Sequence, residues 1–338
     1  MSKFISTICC LFCLALTVHA QSPKDKGVAS INRTSAEAIV GFLADDELAG
    51  REAGTQGARI AARYIASWLK EHNIKPLLPS GYFQPFEACR MEKQQEGGRR
   101  GRWQVHPDSM AVLKQKAHRE LQMSNVLGFI PGERSDEYVI VGAHFDHLGT
   151  DITLAGDRIY NGADDNASGV SAVMQIARAF AASGQKPLRN VIFAFWDGEE
   201  IGLLGSKFFV QDFAHINQVK GYLNFDMIGR NNKPEQPQHV LYFYTASHPA
   251  FGDWLKHDIE HYRLQLQPEY RPWDRPVGGS DNASFAWKDI PIIWYHTDGH
   301  PDYHKPSDHA HRLNWDKVVE ITKASFLNVW NLANEHRY

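Results

Sequence analysis

Long apolar runs are scarce in this chain. After residue 20, no run approaches the roughly 18 consecutive apolar residues that a membrane-spanning helix needs. The run over 8–18 is shorter than that, follows the single basic residue Lys3, and ends in Val18-His19-Ala20, a small-residue cleavage pattern. These features predict a secretory signal peptide over 1–20 that is removed near Ala20. We therefore expect export to the periplasm or the extracellular medium.

Cysteine is also scarce. The chain has four cysteines, and three of them lie within the predicted signal peptide. Only Cys89 would remain after cleavage, so no internal disulfide is expected despite an oxidising destination.

A strong net charge is absent as well. The formal charge is −3 at pH 7, and removal of Lys3 with the signal peptide changes it to −4. This balance gives no general basis for nucleic-acid binding, so no nucleic-acid partner is expected. The chain also lacks a G-x-S-x-G nucleophile elbow, which argues against serine hydrolysis.

Apolar runs of strand length alternate with helical patterns along the rest of the chain. This alternation predicts one α/β domain over 21–338, with a mixed, mostly parallel central sheet sandwiched between helices. The expected strands cover 124–130, 138–143, 190–195, 221–225, 239–245 and 290–295. Helices are expected over 54–70, after Ser168, after Leu203 and over 315–333, and Thr34-Ser35-Ala36-Glu37 resembles a capping box.

The segment at about 92–118 interrupts this pattern. It is rich in glycine and basic residues (Arg99, Arg100, Arg102, Lys114 and Lys116). We interpret it as a solvated surface excursion or part of an edge hairpin, with a specific anion or partner site as the alternative.

Side chains suited to a metal centre follow several of the predicted strands. Ligands of α/β sheets collect where strands end and loops begin. The residues in such positions are His144, Asp146, Asp164, Asp165, Asp197, Glu199, Glu200, Asp226 and His304. A pair of zinc ions needs imidazoles, terminal carboxylates and one bridging carboxylate, and this set contains all of them. Asp146 could orient the second ring nitrogen of His144, and one of the paired glutamates could bind metal while the other acts as general base.

These segments, in this order, resemble the secreted dinuclear-zinc aminopeptidases typified by the bacterial leucyl aminopeptidases, a family that includes glutamate carboxypeptidases and glutaminyl cyclases. The resemblance rests on Asp45-Asp46-Glu47-Leu48-Ala49-Gly50-Arg51, Gly54-Thr55-Gln56-Gly57, the N-G-A-D-D-N-A-S-G run at 161–169, the double glutamate before I-G-L-L-G-S, and Tyr303-His304. It implies the zinc-exopeptidase fold of the phosphorylase/hydrolase-like type. Only about 50 residues separate Pro85 from Tyr138, too few for an inserted protease-associated domain.

The resemblance also implies roles for individual residues. Asp164 would bridge two zinc ions, and its peptide bond to Asp165 is a candidate for the cis form. Glu200 and His304 would complete one zinc site, and His144 and Asp226 the other. Glu199 would serve as general base for a zinc-held hydroxide that attacks the first peptide bond, and Asp146 would steady His144.

The expected substrate is a peptide with a free N-terminus and, by analogy with the family, a hydrophobic first residue. Ser280, Asp281 and Tyr303 are the predicted substrate contacts. The segment at 278–281, before Phe285 and Trp287, is expected to shape the substrate pocket and to contact the substrate backbone or side chain.

Three other interpretations remain open. A glutaminyl cyclase would keep much of the same ligand set, and a non-catalytic binding ectodomain would show lost ligands, of which none is seen. His257-Asp258-Ile259-Glu260-His261 matches the H-x-x-E-H pattern of inverted zincins but also fits an amphipathic surface helix. The oligomeric state is not readable from the sequence.

Overall fold

A single nine-stranded sheet organises the residues described by the computed structural model, which are 21–92, 101–231, 233–274 and 278–338. The predicted signal peptide and the basic residues Arg99 and Arg100 lie outside these ranges. The strands are β1 (Lys75–Pro76), β2 (Phe83–Met91), β3 (His118–Ile130), β4 (Arg134–His144), β5 (Arg189–Trp196), β6 (Val219–Phe225), β7 (His239–Tyr244), β8 (Gln267–Pro272) and β9 (Ile292–His296).

The sheet order is β1-β3-β5-β4-β6-β9-β7-β8, with β2 paired to β3. The four central strands, β5, β4, β6 and β9, run parallel to one another. Antiparallel pairing begins at β3 on one flank and at β7 on the other. The predicted fold, a mixed sheet with a parallel centre, is therefore confirmed.

Helices cover both faces of the sheet. One face carries α1 (Pro23–Ser30), α2 (Arg33–Leu43), α3 (Gln56–Glu71), α5 (Gly169–Ser183), α7 (Ala250–Tyr262) and α9 (Trp315–Asn334). The other face carries α6 (Leu204–Asp212) and α8 (Asn282–Ala286). Strand β5 shows the consequence, since Phe193 and Phe195 enter the first core whereas Ile192 and Trp196 enter the second. A strand covered on both faces reads as a continuous apolar run, which is why it was visible in the sequence.

The predicted capping box at Thr34 is wrong. Helix α2 begins at Arg33, and the Asn32 side chain accepts a hydrogen bond from the Ser35 backbone N–H at 2.9 Å. Thr34 therefore lies inside the first turn. The extended backbone of Asn32 places its oxygen within reach of the free N–H groups, as an N-cap requires.

The described part of the basic segment connects the two strands of an antiparallel hairpin, β2 and β3. It contains α4 (Pro107–Leu113), and just before that helix Gln104 exchanges two backbone hydrogen bonds with Cys89. Val105 is buried beside Phe86 and Leu204. Residues 101–106 thus pack against the hairpin and against α6.

The chain changes direction across the sheet at β4. From β4 it passes through α5 to β5 on one side, and from β5 it passes through α6 to β6 on the other side of β4. Ligands of α/β sheets bind at such a switch point, beyond the carboxyl ends of the strands. None of the helices in the described ranges is long and apolar enough to cross a lipid bilayer.

Candidate metal centre

Polar residues from five segments converge beyond the carboxyl end of β4, and the last of these segments is the loop that carries His304. His144 is the last residue of β4, Glu199 and Glu200 follow β5, and Asp226 follows β6. The run at 161–169 forms a tight π-type turn over Ala163–Ser168, directly before α5. Parallel strands bring these segments to one edge, which is how residues far apart in sequence meet.

Asp165 lies at the centre of this cluster. Its Oδ1 is 3.3 Å from His144 Nε2, which is also 3.7 Å from Asp226 Oδ2. Its Oδ2 is 3.2 Å from His304 Nε2, which is also 3.2 Å from Glu200 Oε2. The cluster therefore consists of two three-residue groups that share one carboxylate.

The predicted bridging residue, Asp164, is not part of either group. Its Oδ1 accepts a hydrogen bond from the Gly229 N–H at 2.6 Å, and its Oδ2 lies 3.3 Å from His300 Nε2. The backbone N–H groups of Asp164 and Asp165 both donate to Asp308 Oδ2, at 2.9 and 3.1 Å. This anchored turn directs the two side chains apart. The cis peptide bond is likewise one position later than predicted, between Asp165 and Asn166.

The donor atoms fit a divalent cation. His144 Nδ1 lies 3.2 Å from the backbone oxygen of Asp146, whereas its buried Nε2 has no hydrogen-bond partner and faces carboxylates. Among the described residues, no Lys or Arg lies within 4.0 Å of the carboxylates of Asp165, Glu200 or Asp226. Buried carboxylates without such partners need another source of positive charge. Imidazole and carboxylate donors suit zinc.

The same charge imbalance affects the histidines. Burial opposes protonation of His304, but hydrogen bonds to Asp165 and Glu200 outweigh it and raise its pKa to about 10. Burial also opposes protonation of His144, and the nearby carboxylates again raise its pKa well above the ordinary value. The cluster therefore attracts cations strongly, whether protons or a metal.

Glu199 differs from its neighbour Glu200. Burial raises the pKa of Glu199 well above the ordinary value, and the negative charges of Asp226 and Asp281 add to the shift against the attraction of His144. One carboxylate oxygen of Glu199, one ring nitrogen of His144 and one carboxylate oxygen of Asp226 all lie within 4.8 Å of one another. A carboxyl group whose pKa is raised by burial suits proton transfer near neutral pH.

Asp146 holds the backbone of both Glu199 and Glu200. Its two carboxylate oxygens accept the backbone N–H groups of Glu199 at 3.0 Å and of Glu200 at 3.3 Å. The predicted contact with His144 is present but longer, with Oδ1 3.6 Å from Nδ1, and the nearer group is the Asp146 carbonyl. Asp146 thus positions the glutamates as well as the histidine.

Two buried residues of the site were not predicted. His147 Nδ1 lies 2.6 Å from Glu200 Oε1, opposite the oxygen that faces His304. Arg51 donates to the carbonyl groups of Phe145, Leu43, Asn161 and Gly162. Burial lowers the pKa of Arg51 to about 10, against the attraction of the nearby carboxylates. Two sequence features could have identified them: the stretch 45–51, which ends in Arg51, and the pattern His144-Phe145-Asp146-His147, which contains His147.

The structure contradicts two of the three predicted substrate contacts. Ser280 and Asp281 are both 0% exposed, and neither lines the cavity beside the cluster. Ser280 Oγ accepts a hydrogen bond from Asn224 at 3.2 Å, and burial raises the pKa of Asp281 to about 7. Tyr303 is 42% exposed, stacks on the His304 ring and does line this cavity.

The cavity beside the cluster has a volume of about 260 Å³. Its walls include Met227, Gly279 and Trp294, together with Tyr303. A Cβ atom on Gly279 would lie 2.8 Å from the Trp294 ring, so a larger residue there would collide with this wall.

The H-x-x-E-H motif does not form a metal site. His257, Glu260 and His261 are exposed on α7 and belong to none of the metal-capable groups in the described ranges. A further group, Cys89, His118 and Glu120, lies on the β2–β3 hairpin. There Lys114 already pairs with Glu120 at 3.2 Å.

Comparison with known proteins identifies the family. The model of peptidase family M28 matches residues 125–329, which contain every member of the cluster. The chain belongs to peptidase family M28. Leucine aminopeptidase 2 of Trichophyton equinum is 39% identical over 175 residues, which cover 49% of this chain and 32% of that relative. The chain spans no more than half the length of the curated relatives it matches.

Solved structures show that this M28 member shares its fold with enzymes of two kinds. An aminopeptidase from Aneurinibacillus sp. strain AM-1 has a TM-score of 0.67 at 16% identity, covering 92% of this chain and 96% of that chain. A glutaminyl cyclase from Fimbriiglobus ruber has a TM-score of 0.64 at 14% identity, covering 89% and 95%. Identities this low indicate the fold alone.

Proposed function

We propose that this M28 member is a zinc-dependent aminopeptidase that removes the N-terminal residue of peptides. The observation that carries the proposal is the pair of three-residue groups sharing Asp165, with Glu199 beside one of them. His144 and Asp226 would hold one zinc ion, and Glu200 and His304 the other. Each chain would therefore hold two zinc ions.

Zinc at these positions would polarise the substrate carbonyl and lower the pKa of water. The chain's own residues would move the proton. Glu199, with its raised pKa, would accept a proton from the attacking water on its carboxylate and pass it to the nitrogen of the leaving amine. Asp146 would hold Glu199 in place through its backbone N–H.

The cavity of about 260 Å³ supports an exopeptidase. It is smaller than the roughly 300–1,000 Å³ typical of drug-sized ligand pockets, so it suits a single residue rather than a continuing chain. Its apolar walls, Met227 and Trp294, favour a hydrophobic first residue.

We also propose that the protein is exported, because residues 1–20 have the pattern of a signal peptide. N-terminal sequencing of the protein recovered outside the cytoplasm should begin at Gln21. Recovery of the full-length chain only from the cytoplasm would contradict export and leave the proposed activity untouched.

The activity is tested by mass spectrometry of products from zinc-loaded protein. The substrates are matched peptides with a free N-terminus, a blocked N-terminus or an N-terminal glutamine. Stepwise loss of residues from free N-termini alone is expected. Loss of ammonia from the glutamine peptide alone would instead indicate a glutaminyl cyclase. No reaction with any peptide would favour a binding ectodomain.

A further inference from the structure

A second, larger cavity adjoins the metal centre. It has a volume of about 700 Å³ and meets the cluster at Glu200, which lines both cavities. One wall is the segment 101–106, and the other is formed by residues 201–204 and the exposed side of α6. We call it the basic cavity, because its lining includes Arg90, Arg102, His106 and Lys207, with Glu200 as its acidic residue.

The walls of the basic cavity are held in place by the fold. Gln104 is fixed by its two backbone hydrogen bonds to Cys89, and Val105 is buried in the cluster that contains Leu204. The Arg90 guanidinium lies over the Trp103 ring at 4.5 Å. These contacts fix the backbone of this wall and the Arg90 side chain.

Two of the cations lack a carboxylate partner. Among the described residues, neither Arg102 nor Lys207 has a carboxylate oxygen within 4.0 Å; the Lys207 ammonium donates to the Gly202 carbonyl at 2.8 Å and lies 5.8 Å from the centre of the Trp287 ring. Burial lowers the pKa of Lys207, and the Arg102 charge adds to that shift while Asp281 and Glu199 oppose it. Cations that face one another in a concave site attract an anion.

The position of the basic cavity relative to the metal centre indicates which anion would bind there. The proposed N-terminal residue occupies the small cavity, whose walls away from the cluster include Met227 and Trp294. The rest of the peptide must leave the cluster in another direction, and the basic cavity opens from Glu200. A peptide reaching it would place there its second or third residue.

We propose that the basic cavity binds a substrate carboxylate on the leaving-group side of the cleaved bond. The inference rests on the proposed aminopeptidase activity and adds a substrate class to it. The carboxylate has two possible sources, the C-terminus of a short peptide or an acidic side chain near the new N-terminus. Charge-assisted hydrogen bonds from Arg102 and Lys207 would recognise either.

The test compares kcat/KM for three peptides that share an N-terminal leucine. Leu-Ala-Ala with a free C-terminus carries the terminal carboxylate, Leu-Glu-Ala amide carries the side-chain carboxylate, and Leu-Ala-Ala amide carries neither. At least one acidic peptide should be cleaved about 10-fold or more faster than the neutral amide. Which one is faster identifies the source of the carboxylate.

Variants then locate the effect. Lys207→Met and Arg102→Met should each bring the ratio of acidic to neutral rates toward one, whereas Lys220→Met, at the amino end of β6, should leave it unchanged. If Lys207→Met fails to fold, the exposed Arg102→Met carries the test, and Lys207→Arg, which keeps the charge, should retain the preference for an acidic peptide. Equal cleavage of all three peptides by the unmodified protein would overturn the inference but leave the activity in place. No cleavage of any of them would instead remove the proposed function.

Discussion

Asp164 and Asp165 are adjacent carboxylates with separate environments. Asp164 accepts a hydrogen bond from Gly229, whereas Asp165 faces His144 and His304. Asp165→Asn should therefore abolish binding of both proposed zinc ions at stoichiometric concentrations. Asp164→Asn keeps an oxygen for the Gly229 N–H and should retain them. Elemental analysis of the zinc content of the purified variants measures this, and loss of zinc from Asp164→Asn alone would reverse the assignment.

Glu199 and Glu200 offer a second matched pair. Glu199→Gln should lower turnover by about 10²–10⁴-fold, the usual contribution of a general base, with zinc content unchanged. Glu200→Gln should weaken zinc binding, because it removes the carboxylate charge beside His304. Steady-state kinetics and zinc titration separate the two effects. Near-normal turnover of Glu199→Gln would rule out its role as base.

The sequence predicted the composition of the site better than its geometry. Single residues at strand ends, such as His144 and Asp226, were assignable because a strand end fixes where one side chain stands. The roles of two consecutive aspartates in a turn cannot be distinguished from the sequence in this way, because the backbone conformation of the turn decides which carboxylate faces the cluster. For Ser280 and Asp281, nothing in the sequence indicated full burial, which only the packed structure reveals.

Between elements, Arg51 connects three segments near the site. Its guanidinium joins the end of α2, the residue after β4 and the turn before α5 through four buried carbonyl groups. Arg51→Met should lower the free energy of unfolding by about 3 kcal/mol or more, because those carbonyl groups lose their donors. Denaturant titration measures the change. The exposed Arg63→Met, on α3, should stay within about 0.5 kcal/mol of the unmodified protein.

Some elements could not be predicted because their sequences run against strand propensity. Strand β2 contains Pro85, and β8 contains Pro268 and Pro272. Proline cannot donate to a strand ladder, so it is tolerated mainly at the edge of a sheet, where β8 lies. The central strands, buried on both faces, were visible as apolar runs.

At the scale of the whole molecule, the first and last helices pack together. The Lys24 ammonium on α1 donates to Asn331 on α9 at 3.2 Å, and a Cβ atom on Gly27 would lie 2.3 Å from the Phe326 ring. Gly27→Val should therefore destabilise the protein by about 1–3 kcal/mol through overpacking. Gly41→Ala, on α2 with no heavy atom within 4 Å of the added methyl group, should instead be neutral or stabilising. Thermal unfolding of both variants is the measurement; equal midpoints would contradict the close packing of α1 on α9.

This contact joins residues separated by nearly the entire chain, which has a consequence for biosynthesis. A ribosome adds roughly 5–20 residues per second, so α1 emerges tens of seconds before α9 has been made. Throughout that interval α1 can pack on α5 but lacks α9, the second helix that covers it. The face of α1 that contacts α9 therefore stays accessible to chaperones, proteases and translocation machinery until synthesis is nearly complete.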